Sequence, residues 1–350
     1  MTLGTAAEPR SAQINWFDFI ATHGGVLDGS EVRDFGDRAV ELAAARDGAA
    51  LVALPQWGVI SVSGPDAGAF LQSQLTSDLR RLSASQAQPS GYCTPQGRLL
   101  ATFFVVLQDL RYHLVLPRVL AAAVVARLQR YVLRSKVVLE DASDRFRLVG
   151  MCGPQSPTAV AKALAITPPR AWEVAYGGRA TALGLPGQAC LILGAPEALE
   201  SLWTALAGQA RPAGAAAWDW CQIRAGMATV LPETREMFLP QMLGLDRQGG
   251  VSFEKGCYPG QEIVARTHYL GELKRQLIHA SAGGPAKAGQ RLYPPGTSEA
   301  AGTVVNAAPS PEGGWEMLAV VRGHAVASAE LRLPDGTAVR VSDQAAATPT

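Results

Sequence analysis

Apolar segments between residues 49 and 222 follow one order twice, and this order constrains the fold more than any other feature of the sequence. In the first unit, "WGVISVSG" alternates like a strand, and a helix capped by Asp66 follows it. The strands "LLATFFVVL" and "YHLVL" come next, then a helix from about Val119 to Arg134 and the strand "KVVLE". Residues 145–222 repeat the pattern of strand, helix, two strands and helix. Two such units predict an α+β fold in which helices cover the sheets.

The pattern changes after Lys274. Short strands broken by glycine and proline follow, as in "AGTVVNAA", "WEMLAVVRG" and "AELRLPDGTAVRV", without a helical period. This pattern predicts a small β-barrel. At the other end, the alanine- and glycine-rich start is typical of one or two helices packed on the surface. We therefore divide the chain into an N-terminal extension (1–48), a two-part α+β core (49–272) and a C-terminal barrel (273–345).

Composition restricts the classes of function. The 350 residues are 48% hydrophobic and 17% charged, so the chain can bury a large core. The 31 basic residues nearly balance the 30 acidic ones, so no overall field favours binding to nucleic acid or to an anionic membrane. The opening residues lack the basic and apolar regions of a secretory signal, and no run reaches the ~20 apolar residues of a membrane helix. We expect a cytoplasmic protein without membrane contact.

The five cysteines are spread along the chain without any C-x-x-C pair. They are Cys93, Cys152, Cys190, Cys221 and Cys257. A structural zinc site or a self-contained iron–sulfur cluster needs several thiolates at short spacing. We therefore expect no metal site, and free thiols in a reducing compartment.

The segment "FEKGCYPGQEIVAR" has the most unusual composition in the chain. Gly256 and Gly260 permit a tight turn, and Pro259 suits the first turn of a helix. Cys257 would then lie near a helix N-terminus, where the helix dipole and the neighbouring Lys255 both favour the nucleophilic thiolate. The alternative interpretation is a small residue buried in a turn.

This segment also contains a complete K-G-C-[FY]-x-G-Q-E core. Its residues are Lys255, Gly256, Cys257, Tyr258, Gly260, Gln261 and Glu262. The core resembles the signature of the YgfZ family of folate-binding proteins, relatives of the T-protein aminomethyltransferases of the glycine cleavage system. Upstream, "SGPDAGAFLQSQLTSDL" and "YCTPQGRLLATF" resemble the N-terminal signature of the same family. The resemblance covers roughly residues 50–345.

The resemblance implies a ring of three subdomains around a central tetrahydrofolate pocket, with the barrel as the third subdomain. It also implies a role in assembling or repairing iron–sulfur clusters. The implied partners are the cluster-assembly machinery and iron–sulfur enzymes such as the radical enzymes that thiolate tRNA. Cys257 would be the functional thiol of such a protein, and the bound cofactor would be tetrahydrofolate or another folate.

Candidate folate contacts follow from the same resemblance. Trp57 and Trp218 match positions where the family places tryptophans against the flat folate rings, and core packing is the alternative for both. Trp220, two residues further on, should point elsewhere on a helix. Folate has an anionic glutamate tail, so the pocket mouth should offer a cation, and Lys255 and Arg266 are the nearest candidates in sequence. An ordinary solvated surface is the alternative for these two.

Two departures from the aminomethyltransferases weigh against catalysis. Those enzymes carry an acidic residue on the strand after the "QGR" turn, whereas the strand here, residues 99–103, contains no carboxylate. Asp66 or Asp78 could still reach the pocket through the fold. In addition, Arg224 occupies the place of a family glutamate that is expected to bind the pterin.

We therefore expect a folate-binding accessory protein for iron–sulfur enzymes rather than a demonstrated catalyst. The alternative is a tetrahydrofolate-dependent aminomethyl or methyl transferase. A protein that binds tRNA directly has little support, because only the stripe of Arg127, Arg130 and Arg134 favours it and such a stripe is more often a solvated helix face.

Overall fold

The computed structural model describes residues 16–269, 274–323 and 330–342. In these residues the chain forms a two-stranded hairpin, one five-stranded sheet and two six-stranded sheets, with helices packed against them. This arrangement confirms the predicted α+β fold. Within the described parts of the chain, no helix combines the length and the apolar character needed to cross a membrane.

The N-terminal part contains two helices and a hairpin. Its elements are α1 (Trp16–Thr22), β1 (Val26–Asp28), β2 (Glu31–Asp34) and α2 (Arg38–Asp47). Helix α2 begins after Asp37, whose carboxylate accepts hydrogen bonds from backbone amides of the first turn. Trp16, Phe19 and Ile20 are buried in a core shared with the second sheet. This region is therefore integrated into the packed body, and the hairpin is an element that the sequence analysis did not predict.

The first unit builds the five-stranded sheet. The strand β3 (Ala50–Ala53) precedes it, and its own elements are β4 (Trp57–Ser63), α3 (Ala67–Gln72), β5 (Gln88–Cys93), β6 (Leu99–Gln108), β7 (Arg111–Pro117), α4 (Arg118–Gln129) and β8 (Val138–Asp141). The strands pair antiparallel in the order β5-β6-β7-β4-β8. Asp109 and Leu110 have φ angles of 49° and 60°, which form the tight turn between β6 and β7.

Helix α4 is shorter than the sequence analysis predicted, because it ends at Gln129 rather than at Arg134. Arg127 lies in the last turn of α4, Arg130 caps that helix, and Arg134 lies beyond it. The three arginines therefore do not form a stripe along one helix.

The second unit builds a six-stranded sheet. Its elements are β9 (Arg147–Cys152), α5 (Ser156–Leu164), β10 (Val174–Gly177), β11 (Ala180–Leu185), β12 (Ala189–Gly194), α6 (Pro196–Ala207), β13 (Arg211–Ala213) and α7 (Ala215–Arg224). The strand order is β10-β11-β12-β9-β3-β13, and only the β3–β13 pair among these strands is parallel. Because β3 precedes the first unit, this pairing connects the two units.

The C-terminal part forms the predicted barrel. After helix α8 (Gln261–Tyr269) come β14 (Arg275–Ala282), β15 (Arg291–Leu292), β16 (Gly302–Pro309), β17 (Trp315–Arg322), β18 (Glu330–Arg332) and β19 (Ala338–Val341). The sheet order is β15-β16-β17-β14-β19-β18. Backbone hydrogen bonds of 2.9 and 2.8 Å between Tyr293 and Arg332 bring the two edge strands together, so the sheet is nearly closed.

Candidate functional site

A cavity of about 410 Å³ lies where the hairpin, the five-stranded sheet, helix α7 and the barrel meet. Glu31 of β2, Trp57 of β4 and Arg118 of α4 contribute to its wall. Further lining residues are Asp219 and Gln222 of α7 and Asn306 of β16. Cavities that bind drug-sized ligands have volumes of about 300–1,000 Å³. The position and size of this cavity make it the principal candidate for a small-molecule site.

Trp57 provides an aromatic surface on the cavity wall. Its ring stacks on Phe104 with a centroid distance of 5.5 Å and an interplanar angle of 11°. The ring also meets Trp218 edge-on at 6.5 Å. These contacts hold the indole in one orientation, so little side-chain entropy remains to be lost when a flat ligand binds.

Asp219 and Gln222 are polar residues on the cavity wall without protein partners. They lie three residues apart on α7, so they share one face of the helix. Gln222 is only 5% exposed, and neither Nε2 nor Oε1 of its amide has a hydrogen-bond partner within the described residues. Burial raises the pKa of Asp219 to about 7, and the charge of Glu31 adds to this effect. An unpartnered buried amide costs about 1–3 kcal/mol, which a ligand with complementary groups would recover.

Gln56 Oε1 on the same wall also has no hydrogen-bond partner within the described residues, whereas Asn306 and Arg118 are engaged by protein groups. Asn306 accepts a hydrogen bond from the amide of Thr229 at 2.8 Å and donates one to its carbonyl at 3.1 Å. The guanidinium of Arg118 donates to Asp144 at 2.5 Å and is 41% exposed. A neighbouring cavity of about 320 Å³ shares Trp57 and Arg118 with the first and is also lined by Arg147. Positive charge therefore lies where the two cavities adjoin.

Trp218, one of the two tryptophans predicted to contact folate, does not line this cavity. It is fully buried, and its ring packs so tightly against Gly150 that a Cβ at that glycine would lie 2.3 Å from the indole. Trp218 is packed in the core of this structure, and its contact with folate stays a prediction. Its edge contact with Trp57 makes it a support for the aromatic wall.

Trp220 points toward the barrel, as the helical spacing predicts. Its Nε1 donates to Glu316 at 2.8 Å, and His279 Nε2 lies 2.8 Å from the other oxygen of that carboxylate. Arg224, the residue in place of the family glutamate, extends to Glu316 at 3.6 Å. Ser310 also donates to Glu316, so this buried carboxylate is surrounded by donors. Arg224 thus belongs to the contact between α7 and the barrel.

Lys255, predicted as a cation at the pocket mouth, lies away from this cavity. Its side chain is buried, and Nζ donates to the carbonyls of Leu75 and Ser77, each at 2.7 Å. Burial lowers the pKa of Lys255 to about 8. The ammonium also lies 5.4 Å from the centre of the Tyr258 ring. Lys255 therefore fastens the motif loop to the segment after α3, with two of its three N–H donors engaged, and it does not line the cavity.

The remaining motif residues position the same loop. Gly260 has a φ angle of +83°, and a Cβ there would lie 2.5 Å from the Cα of Gly97 in the "TPQG" turn. Gln261 begins α8 and donates to the carbonyl of Lys255 at 3.2 Å. Glu262 and Arg266 are exposed on α8, and neither lines the cavity. The motif is therefore a close-packed junction between two loops.

Cys257 is exposed at the tip of this loop, whereas Cys93, Cys152, Cys190 and Cys221 are buried. Burial raises the pKa of Cys190 to about 12 and holds that of Cys93 far above its usual range. Cys257 lies four positions before α8 begins at Gln261. Among the described residues, no cluster of three or more His, Cys, Asp or Glu side chains could hold a metal ion.

The acidic residues considered as distant contributors lie elsewhere. Asp66 precedes α3, but its carboxylate accepts from the amide of Lys136 at 2.7 Å instead of capping the helix. Asp78 accepts from Arg80 and Gln72. Two carboxylates line the cavity, those of Glu31 and Asp219, and the sequence analysis predicted neither. The sequence signal for Asp219 is that it forms a polar pair, at i and i+3, with Gln222 in the otherwise apolar "AAAWDWCQI".

Comparisons with known proteins agree with this architecture. The family model of the GCVT N-terminal domain matches residues 20–178. The crystal structure of glycine cleavage system aminomethyltransferase T from Bartonella henselae superposes with a TM-score of 0.79 at 18% identity, covering 95% of this chain and 97% of that one. This likeness shows that the fold is that of the aminomethyltransferases.

Similarity in sequence is higher to a group of bacterial proteins. A tRNA-modifying protein YgfZ of Yersinia pestis (strain Pestoides F) is 30% identical over 81% of this chain and 88% of its own length. The protein of the same name in Edwardsiella ictaluri (strain 93-146) is 32% identical over the same shares. With the complete K-G-C-Y-x-G-Q-E core exposing Cys257, these relatives show that the chain belongs to the YgfZ family.

Proposed function

We propose that this protein binds a reduced folate in the cavity beside Trp57 and supports iron–sulfur enzymes, including enzymes that modify tRNA. The observation that carries the proposal is a cavity of about 410 Å³ that combines a fixed indole with the unpartnered groups of Asp219 and Gln222. Tetrahydrofolate has a bicyclic ring with several N–H donors and a carbonyl, joined to an aminobenzoyl ring and an anionic tail. The wall offers Trp57 for the rings, Asp219 and Gln222 for the polar edge of the bicyclic ring, and Arg118 for the anionic tail.

The tail is assigned to Arg118. Lys255 is occupied by backbone carbonyls, and Arg266 does not line the cavity. Arg118 lines both adjoining cavities, and its guanidinium is partly exposed. A ligand carboxylate could therefore share this guanidinium with Asp144, in the way that arginine binds carboxylates elsewhere.

The assignment to iron–sulfur and tRNA-modifying enzymes rests on the family and on the exposed thiol. The curated relatives are named tRNA-modifying proteins. A single thiolate cannot hold a cluster, but an accessible thiol can take part in a transient transfer or in a mixed disulfide. Cys257 is the candidate for this role, with the client enzyme docked over the motif loop.

The test is a titration with tetrahydrofolate, under anaerobic conditions, that follows tryptophan fluorescence and calorimetric heat. We expect saturable binding that weakens at least tenfold in Trp57→Ala, because the aromatic wall is lost. Trp203→Phe is the matched control, since Trp203 packs against Trp16 in the separate core of the second sheet. Absence of saturable binding by the wild-type protein would overturn the proposal.

A transferase is the second candidate, and the observation that favours it is Asp219. General acid–base catalysis works best when the pKa of the acting group is near the working pH, and burial raises the pKa of Asp219 to about 7. Strand β6 offers no carboxylate in residues 99–103, and Thr102 accepts a hydrogen bond from the amide of Val230. Turnover of an aminomethyl-loaded carrier protein that disappears in Asp219→Asn would favour the enzyme over the accessory protein.

A further inference from the structure

Helix α7 presents two polar side chains to the cavity that no protein group satisfies. The carboxylate of Asp219 has no hydrogen-bond partner within the described residues, and the amide of Gln222 is 5% exposed with both of its polar atoms unpartnered. Folded proteins satisfy more than about 90% of their buried polar groups. The amide of Gln222 is such an exception, and beside the half-buried Asp219 on one helix face it indicates a site whose partners come from a ligand.

The chemistry of the pair defines the ligand edge that it accepts. An ionised carboxylate has only acceptors, so it matches two neighbouring N–H donors on a planar ring. A primary amide has both donors and an acceptor, so it matches a ring carbonyl or a ring nitrogen next to those donors. The 2-amino-4-oxopyrimidine edge of a pterin presents this combination, with the exocyclic amine and ring N–H side by side and a carbonyl beyond them.

We propose that Asp219 and Gln222 recognise the 2-amino-4-oxo edge of the folate pterin, so that the ring lies at α7 and the tail extends toward Arg118. This inference rests on the proposed folate binding and adds the direction of the ligand and the residues that select it. Arg224 cannot supply the same recognition, because its guanidinium extends to Glu316 and it does not line the cavity.

If Gln222 had only a structural role, Gln222→Leu would lower the melting temperature. The proposed role in ligand recognition predicts otherwise. A buried amide without partners destabilises the free protein, so Gln222→Leu should leave the melting temperature unchanged or raise it. Gln241 is an equally buried glutamine, also 5% exposed, but its Nε2 donates to the carbonyl of Val264 at 2.6 Å. Gln241→Leu should therefore lower the melting temperature while leaving folate affinity unchanged.

The experiment measures the affinities of tetrahydrofolate and of an analogue in which a methyl group replaces the 2-amino group. We expect Asp219→Asn to weaken tetrahydrofolate about 10- to 100-fold, because an N–H donor then faces the ring donors. The analogue should lose less affinity in Asp219→Asn than tetrahydrofolate does, since only the ring N–H remains of the two donors that the carboxylate reads. Gln222→Leu should weaken both ligands about tenfold.

The outcomes separate this inference from the proposed function. If Trp57→Ala weakens tetrahydrofolate while Asp219→Asn and Gln222→Leu bind as wild type does, folate binding stands and the recognition by α7 is wrong. If the wild-type protein does not bind tetrahydrofolate, the proposed function fails and this inference fails with it. Equal loss of both ligands in Asp219→Asn would show that the residue does not read the 2-amino group.

Discussion

The two sides of helix α7 treat buried polar groups in opposite ways. On the side facing the barrel, Trp220 and Ser310 each donate a hydrogen bond of 2.8 Å to Oε1 of Glu316, and His279 Nε2 lies 2.8 Å from its Oε2. Burial alone would raise the pKa of Glu316, but these contacts outweigh it and hold the pKa at about 2. On the side facing the cavity, Asp219 has no such contacts, and burial raises its pKa to about 7. Satisfied groups fasten subdomains together, whereas unsatisfied groups leave binding energy for a ligand.

The motif loop belongs with the satisfied side. Lys255 donates to two carbonyls, and Gln261 returns a hydrogen bond to the loop. The conspicuous motif therefore holds the loop that exposes Cys257, while the proposed ligand contacts lie on the less conspicuous α7. The two proposed functions, thiol chemistry and folate binding, are assigned to different parts of the molecule and should be separable by mutation.

The largest expected effect tests that separation. Cys257→Ser should abolish support of iron–sulfur enzymes in cells, because serine has no thiolate chemistry near neutral pH. Since the side chain is exposed, melting temperature and tetrahydrofolate affinity should stay near the wild-type values. The measurement is thiolation of cellular tRNA in a strain that lacks the native protein. Full complementation by the serine variant would show that the function does not need the thiol.

The matched control for that experiment is Cys190→Ser. Cys190 is fully buried in the second sheet, so a hydroxyl there should lower the melting temperature by destabilising the core. Its loss of function should follow the loss of folded protein, in contrast to that of Cys257→Ser.

The second effect concerns the satisfied side of α7. Glu316→Gln should destabilise the protein by about 2–3 kcal/mol at pH 7, because it removes the carboxylate charge that Trp220, Ser310 and His279 surround but keeps the shape. The pKa of Glu316 in the folded state, about 2, lies below its ordinary value of 4.5. Its stabilising contribution is therefore complete above about pH 4.5 and is lost as the pH falls toward 2.

Denaturant unfolding at several pH values measures this contribution. The difference in the free energy of unfolding between wild type and Glu316→Gln should shrink steadily between pH 4.5 and pH 2.5. A difference that is constant over this range would mean that the carboxylate is not held by its donors.

Sequence patterns predicted local elements well because their causes are local. The strands and helices of both units follow from alternation and helical spacing, and the barrel follows from short strands between turns. The parallel pairing of β13 with β3 could not be predicted, because it joins Arg211–Ala213 to residues 50–52 across most of both units. The hairpin β1–β2 was missed because its two strands contain only three and four residues.

The candidate site was harder to predict, because cavity walls come from distant parts of the chain. The sequence offers Lys255 as a near candidate for the cation that a folate tail needs, but only the folded chain brings the carbonyls of Leu75 and Ser77 to its amine. Trp218 matches a position where the family places a tryptophan against the flat folate rings. In an apolar helix the large ring enters the core, and Asp219 and Gln222 are left to face the cavity.

The smallest expected effect is the contribution of Asp219, on the cavity side of α7, to the pH dependence of stability. The pKa of Asp219 in the folded state, about 7, lies above its ordinary value of 3.8, and Glu31 and Arg118 are the other charged side chains among the described residues that line the cavity. Folding therefore takes up a proton between these values, and the stability of the wild type falls as the pH rises from about 4 to about 7, after which it is level.

Asp219→Asn has no charge to bury, so it should gain about 1–2 kcal/mol relative to wild type between pH 4 and pH 8. The figure is below the full value of the pKa change because part of the carboxyl surface faces the cavity. Thermal and denaturant unfolding at the two pH values provide the measurement, and an equal difference at both would show an ordinary, solvated carboxylate. Saturating tetrahydrofolate at pH 8 should reverse the order, because the ligand stabilises the wild type by RT ln(1 + [L]/Kd) and binds the asparagine variant more weakly. The two sides of α7 would then differ in one respect. The carboxylate on the cavity side destabilises the free protein until a ligand binds it, whereas the carboxylate on the barrel side stabilises the protein without a ligand.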